Sequence, residues 1–308
     1  MLDPQGLFEL DPDQPSAEEL GTPLLVHAMS GFIDAGHAGR LAAAHLRDGL
    51  PNRVVARFDL DQLYDYRARR PVMTFVENRW EDYEEPTLEL LLVQDTKGTP
   101  FLLLIGPEPD VQWERFTAAV AALVERYRVR ATVGVHAIPM AVPHTRPVGV
   151  TAHATRPELV EGFPPWVGRV QVPGNVGGLL EFRLGQAGRD AVGYAVHVPH
   201  YLAQTEYPEA AKALVQHVGT LGGLDLPTAA LDAAAADVRA AVESQIEDQP
   251  EVRAVVAALE EQYDAFVAGR GRSLLADETA ALPTADELGA ELERFLAEEN
   301  ERRGRGDD

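Results

Sequence analysis

Five histidines, His136, His144, His153, His197 and His200, fall within one central stretch of the chain, three of them just past expected strand ends. Imidazole exchanges protons near neutral pH and ligates metals, so these are the first residues to weigh as chemistry. The pair His197-x2-His200 spans a proline and does not place two imidazoles on one helix face, as an H-E-x-x-H arrangement would. No carboxylate sits at a matching offset, so no metal site is expected. The serines are Ser16, Ser30, Ser244 and Ser273, and none lies in G-x-S-x-G. Ser30 alone stands at the end of a core strand, and Ser30, a histidine and Asp34 make a triad on paper. Asp34 lies only four residues further on, at the start of a helix, where a carboxylate serves as a cap. No catalytic residue and no cofactor is assigned.

Glycine-spaced turns supply a second kind of candidate. Gly31, Gly36 and Gly39 read G-x4-G-x2-G, which is neither the dinucleotide G-x-G-x-x-G nor the phosphate-binding G-x4-G-K-[ST], because His37 stands in the lysine position. Backbone amides at such a helix start can still hold an anion; otherwise Asp34 caps and the glycines permit a sharp turn. Pro173-Gly-Asn-Val-Gly-Gly178 opens another helix and offers the same two readings. Open α/β sheets form clefts where their parallel strands finish. A cleft there gathers the candidate ligand-binding residues Ser30, Gly31, Asp34, Gly36, Gly106, His136, Asn175, Gly177 and His197. The arginines of Arg67-Ala-Arg-Arg-Pro71 read as a solvated knot or an intersubunit ion-pair donor, with phosphate binding as the alternative.

The elements that must position these residues follow from periodicity. Pro23–Met29, Arg53–Phe58, Val72–Val76, Leu88–Val93, Phe101–Ile105, Ala131–Val135, Val148–His153, Arg169–Val172 and Ala191–Val198 read as strands. An acidic connector is expected over residues 77–86. The continuous apolar run Phe101–Ile105 suits a sheet covered on both faces. Helical spacing follows Arg40, runs from Trp113 to Tyr127, from about Leu179 to Gln186 and from Pro208 to Val218. Gly222, Gly223 and Pro227 mark a boundary. Past it, an alanine-rich segment and a face from Val252 to Val267 form a helical hairpin, followed by a short helix over 288–296. The expected organisation is an acidic tail over 1–20, an α/β/α core over 21–226, a helical subdomain over 227–300 and a disordered tail over 301–308.

The 308 residues carry a formal charge of −22, 45% hydrophobic residues and no cysteine. Disulfides and thiolate chemistry are therefore excluded. Residues 1–20 hold six acids and no base, and residues 227–308 hold 20 acids against 8 bases, so the acidity belongs to the ends. Such a surface does not suit nucleic acid or anionic membrane. No apolar run is long enough to span a membrane, and the first residues lack a signal-peptide pattern, so a cytoplasmic protein is expected.

Gly31-Phe-Ile-Asp-Ala-Gly36, Asp65-Tyr-Arg-Ala-Arg-Arg-Pro71, Gly106-Pro-Glu-Pro109, Gly134-Val-His-Ala-Ile-Pro139, Pro173-Gly-Asn175 and His197-Val-Pro-His-Tyr201 occur in this order over roughly residues 20–270. In these segments the chain resembles the proteasome assembly chaperone 2 family, in particular its actinobacterial branch. The resemblance implies a three-layer α/β/α sandwich with a mixed sheet, phosphorylase/hydrolase-like, with a helical C-terminal extension. It also implies a homo-oligomer, with a trimer as the suggested count. Relatives that chaperone proteasomes carry a C-terminal hydrophobic-tyrosine-any tail, whereas this sequence ends Gly304-Arg-Gly-Asp-Asp308, so docking by that route is not expected. The first expectation for function is a non-enzymatic assembly or interaction protein, meeting a partner through the C-terminal helices. The alternative is a small-molecule hydrolase, phosphorylase or ligand-binding protein that uses the strand-end cleft.

Overall fold

The computed structural model describes residues 2–31, 33–164, 169, 171–247 and 249–272. It divides into two compact units, Met1–Glu261 and Gln262–Asp308. In chain order the elements begin with β1 (Phe8–Leu10), α1 (Ala17–Leu20), β2 (Leu24–Ser30), α2 (Ala38–Gly49) and β3 (Asn52–Phe58). There follow β4 (Met73–Val76), β5 (Arg79–Tyr83), β6 (Glu89–Gln94), β7 (Pro100–Pro107), α3 (Trp113–Arg126), β8 (Ala131–Met140) and β9 (Val150–Ala154). The last are α4 (Val176–Gln186), β10 (Ala191–Pro199), α5 (Pro208–Gly222), α6 (Ala229–Glu247) and α7 (Pro250–Arg272).

Eight strands form one mixed sheet in the order β1-β3-β6-β7-β2-β8-β10-β9. The central four, β7, β2, β8 and β10, are parallel, and antiparallel strands flank them. Period-two alternation sends the side chains of each strand into two separate cores. Leu24, Val26, Leu91, Val93, Phe101 and Leu103 join α2 and α5 on one face, with Leu231 of α6 beyond them. Leu25, Leu90, Leu92, Leu102 and Leu104 join α3 and α4 on the other. This is the three-layer sandwich expected from the sequence.

Helices α2 and α4 begin where side chains satisfy their free amides. The Asp34 carboxylate accepts from the Gly39 and Arg40 amides at 2.7 and 3.0 Å, opening α2. The Asn175 side chain accepts from the Gly178 amide at 2.7 Å, opening α4. Gly223 ends α5 in the left-handed conformation that glycine adopts without strain (φ 62°).

Three expectations are corrected. The stretch over 77–86 is not a plain connector, because β5 pairs antiparallel with β4 in a separate two-stranded sheet. Phe75 and Trp80 hold that hairpin together edge to face, with ring centroids 4.9 Å apart. Arg169, Gln171 and Val172 lie outside any strand. Arg69 is tied up within its own chain. Its guanidinium lies 4.4 Å from the Tyr64 ring centre and pairs with Asp110 at 2.5 Å. The short helix over 288–296 and the tail over 301–308 lie outside the described residues. No helix among the described residues is long and apolar enough to cross a membrane.

Candidate functional site on the α4 face of the sheet

A histidine inside the apolar strand β2 starts the site. His27 is only 6% exposed and, by alternation with Val26 and Ala28, lies on the α4 side of the sheet. Strand register sets it opposite Gly134, sets Gly134 opposite Gly193, and sets Gly193 opposite His153. One row across β2, β8, β10 and β9 therefore reads histidine, glycine, glycine, histidine. A Cβ on Gly134 would stand 2.7 Å from Cε1 of His27, and one on Gly193 would stand 2.0 Å from Cε1 of His153. Both rings thus lean over strands that have no side chain there, which is the positional meaning of glycine inside a buried strand.

The next row carries His136, opposite Ala195, which is opposite Thr151. The His136 and His153 ring centroids are 6.1 Å apart. His197 lies one alternation further along β10 and leans over Gly149, whose Cβ would stand 2.7 Å from Nδ1 of the ring. Its Nε2 lies 2.8 Å from the Thr151 hydroxyl. From α4, Glu181 reaches Nδ1 of His153 at 2.9 Å. The Asn175 cap sets the start of that helix, and a Cβ on Gly177 would stand 3.5 Å from Cε1 of His27.

Burial dominates the electrostatics. His27 is pushed down to about 4, first by burial and then by the neighbouring His136 and His153. His136 is likewise held at about 4 by burial and His153. Both rings are neutral at neutral pH, and neither has a protein hydrogen-bond partner among the described residues. Neutral imidazoles of this kind accept protons, accept or donate hydrogen bonds, and ligate cations. Among the described residues, no three His, Asp or Glu groups stand close enough together to enclose one metal ion as the side chains lie.

The structure separates the residues expected from the sequence. His136, His197, Asn175 and Gly177 belong to this face. Ser30 and Gly31 border it through Glu108, whose carboxylate caps α4 at the Val176 amide (2.7 Å) and lies where a Cβ on Gly31 would sit, 1.9 Å from Oε2. The Ser30 hydroxyl donates to the Gly106 carbonyl at 3.4 Å, and among the described residues no histidine partners it. Gly106 serves close packing, since a Cβ there would stand 2.3 Å from the Thr87 carbonyl oxygen. Asp34 and Gly36 serve the α2–α5 side. Asp34 caps α2, and Gly36 (φ 62°) exchanges backbone hydrogen bonds with Ala203 and Tyr207. The paper triad of Ser30, histidine and Asp34 is not assembled.

Sequence reasoning weighed His153 among the central histidines without placing it in the cleft, and missed His27, Glu181 and Thr151 as members. A signal for His27 was present: it is the one titratable residue in Pro23–Met29, and a polar residue in a buried strand calls for an account. Gly193 inside the apolar run Ala191–Val198 was a similar sign of close approach.

Residues 28–246 match the model of the PAC2 family. The chain is 52% identical to a Mycobacterium tuberculosis protein of unknown function, Rv2714, over 87% of this chain and 92% of that one, with a TM-score of 0.83. It is 40% identical to a Corynebacterium glutamicum protein of unknown function, over 85% and 98% of the two chains, with a TM-score of 0.81. Similarity extends to the Mycobacterium tuberculosis proteasome-assembly chaperone homologue Rv2125, at 27% identity over 77% and 99%, with a TM-score of 0.69. No match was found among curated proteins. On the family match and on these relatives, the chain belongs to the PAC2 family, in its actinobacterial branch.

Proposed function

We propose that the chain is a non-enzymatic, assembly-type interaction protein whose contacts are made through the arm formed by β4 and β5. The observation that carries this reading is the inverted polarity of that arm. Val72, Phe75 and Trp80 are 57%, 55% and 62% exposed, and Met73 and Tyr83 are nearly half exposed. An isolated two-stranded hairpin is marginal in water, and a contiguous apolar patch of this kind is a surface for another protein. Kinship with a protein described as a proteasome-assembly chaperone homologue supports the same class of function.

The occupant of the arm is a second copy of this chain, in a homo-oligomer for which a trimer is the expected count. The C-terminal helices are left to meet the partner, with Val255, Phe266 and Val267 exposed along α7. The cytoplasm is the compartment that fits a chain without cysteine. The test is the mass in solution of the full chain and of the Phe75→Asp/Trp80→Asp double variant, by light scattering on a sizing column. The expected result is a multiple of 33.5 kDa for the first and 33.5 kDa for the second, with unchanged circular dichroism. Equal masses for the two would overturn the reading.

A second reading is favoured by one observation, the neutral histidines over the glycine floor. They suit a ligand-binding role for the same chain, independent of the arm.

A further inference from the structure

We propose that the arm of one copy seats on the α3–α4 face of the next, in a head-to-tail contact that closes a ring. This rests on the assembly reading and names the surface that receives the arm.

The arm has one binding face, and a β-bulge creates it. Met73 pairs with Tyr83 and Thr74 with Asp82, and then Phe75 pairs with Trp80, so Glu81 is the extra residue. Directly paired residues share a face. Met73, Phe75, Trp80 and Tyr83 therefore stand on one side of the ribbon, and Thr74, Val76, Arg79 and Asp82 on the other. Without the bulge Trp80 and Tyr83, three residues apart, would point in opposite directions. Every residue of β4 and β5 is exposed, so the apolar face is not covered by its own chain.

A second apolar surface lies bare on the same chain. Leu2 and Trp113 line an open groove of about 320 Å3 at the start of α3. Gly174 lies against Trp113, with room for a Cβ only 3.8 Å from Cζ3, so the segment that carries Val172 runs to the edge of the groove. Phe182 of α4 adjoins by way of Arg183, whose guanidinium is 5.5 Å from the Phe182 ring centre and pairs with Glu114 at 2.5 Å. Leu2, Val172 and Phe182 are each more than half exposed.

Charge chooses among the apolar surfaces on offer. Residues 77–85 of the arm carry five carboxylates and one arginine. A second arm is therefore a poor seat, and so is α7, where residues 250–267 carry four carboxylates against Arg253. Juxtaposed like charges exclude such pairings. The α3–α4 face instead exposes Arg183 and, three residues before Val172, Arg169, with Glu114 between groove and helix. The resulting contact is heterologous. Each chain gives one arm and receives one, and the series closes on itself at the expected trimer.

The test uses full-chain variants with opposite defects, weighed by light scattering on a sizing column. Phe75→Asp/Trp80→Asp spoils the arm, Phe182→Asp spoils the face, and Val172→Asp spoils the face at a second point. Each variant alone is expected at 33.5 kDa, with the circular dichroism of the unaltered chain. An equimolar mixture of an arm variant and a face variant recovers twice that mass, because the arm of one still fits the face of the other. Face variants that keep the native mass, beside a monomeric arm variant, would overturn the receiving face and leave the assembly reading standing. Monomeric variants that fail to combine would overturn the head-to-tail geometry. An arm variant of native mass would overturn both readings.

Discussion

Two regions of this protein break the usual arrangement of polarity, and they break it in opposite directions. The β4–β5 arm turns apolar side chains to water, whereas the α4 face of the sheet takes imidazoles out of it. The rest of the main sheet obeys the rule, with leucines and valines sorted into two cores by alternation. Exposed apolar area is stabilised by a surface that covers it, whereas a desolvated imidazole is held in its neutral form. The arm is accordingly the proposed place of protein contact, and the histidine face the proposed place of a small ligand. Nothing in their chemistry obliges the two to act together.

That contrast can be broken or sharpened, beginning with the largest effect. The neutral His27 and His136 oppose folding in acid. The unfolded chain binds more protons than the folded one between pH 6.5 and pH 4, so stability falls as pH falls through that window. For His27 the loss is about 3 kcal/mol on a displacement from 6.5 to about 4, and His27→Leu removes that part of the slope. Urea unfolding of both chains at a series of pH values measures it, and parallel curves would show that His27 is not buried as described.

Filling the glycine floor comes next. Gly134→Val forces a branched side chain against the His27 ring, at about 1–3 kcal/mol in denaturant midpoint. Gly188→Ala is a poor control, because Gly188 has positive φ, whereas Gly49→Ala on α2 meets open space and leaves the midpoint unchanged or higher. Asn175→Ala removes the cap that sets α4 over the histidines, at about 1 kcal/mol. The smallest effect belongs to the arm: Trp80→Ser alters the stability of the isolated chain by no more than about 0.5 kcal/mol, because the ring is mostly exposed. A large loss there, measured at a concentration where the chain is monomeric, would mean that the arm is part of the core.

Much of this architecture was legible residue by residue. The apolar run Phe101–Ile105 told of a strand covered on both sides, and β7 has that place beside β2. For Asp34 and Asn175 a cap was one of the two readings left open beside ligand contact, and both cap helices, since a short carboxylate or amide before a helix meets amides that have no other partner. The β4–β5 arm was harder, because Arg79-Trp-Glu-Asp-Tyr83 looks acidic and its contact of Trp80 with Phe75 appears only once the two strands pair. The histidine face was half visible. His136 and His197 stood near strand ends, while His27 passed as one more residue of a buried strand.

Local sequence determined what local physics decides: where strands and helices start, which side chains are apolar, and where amides are capped. It also determined, through ordered short segments, the family to which the chain belongs. Tertiary structure alone decided that residues 27, 134, 153 and 193 share a row. Parallel strands are joined by long crossovers, so their register is set by packing between distant elements and leaves no spacing to read along the chain.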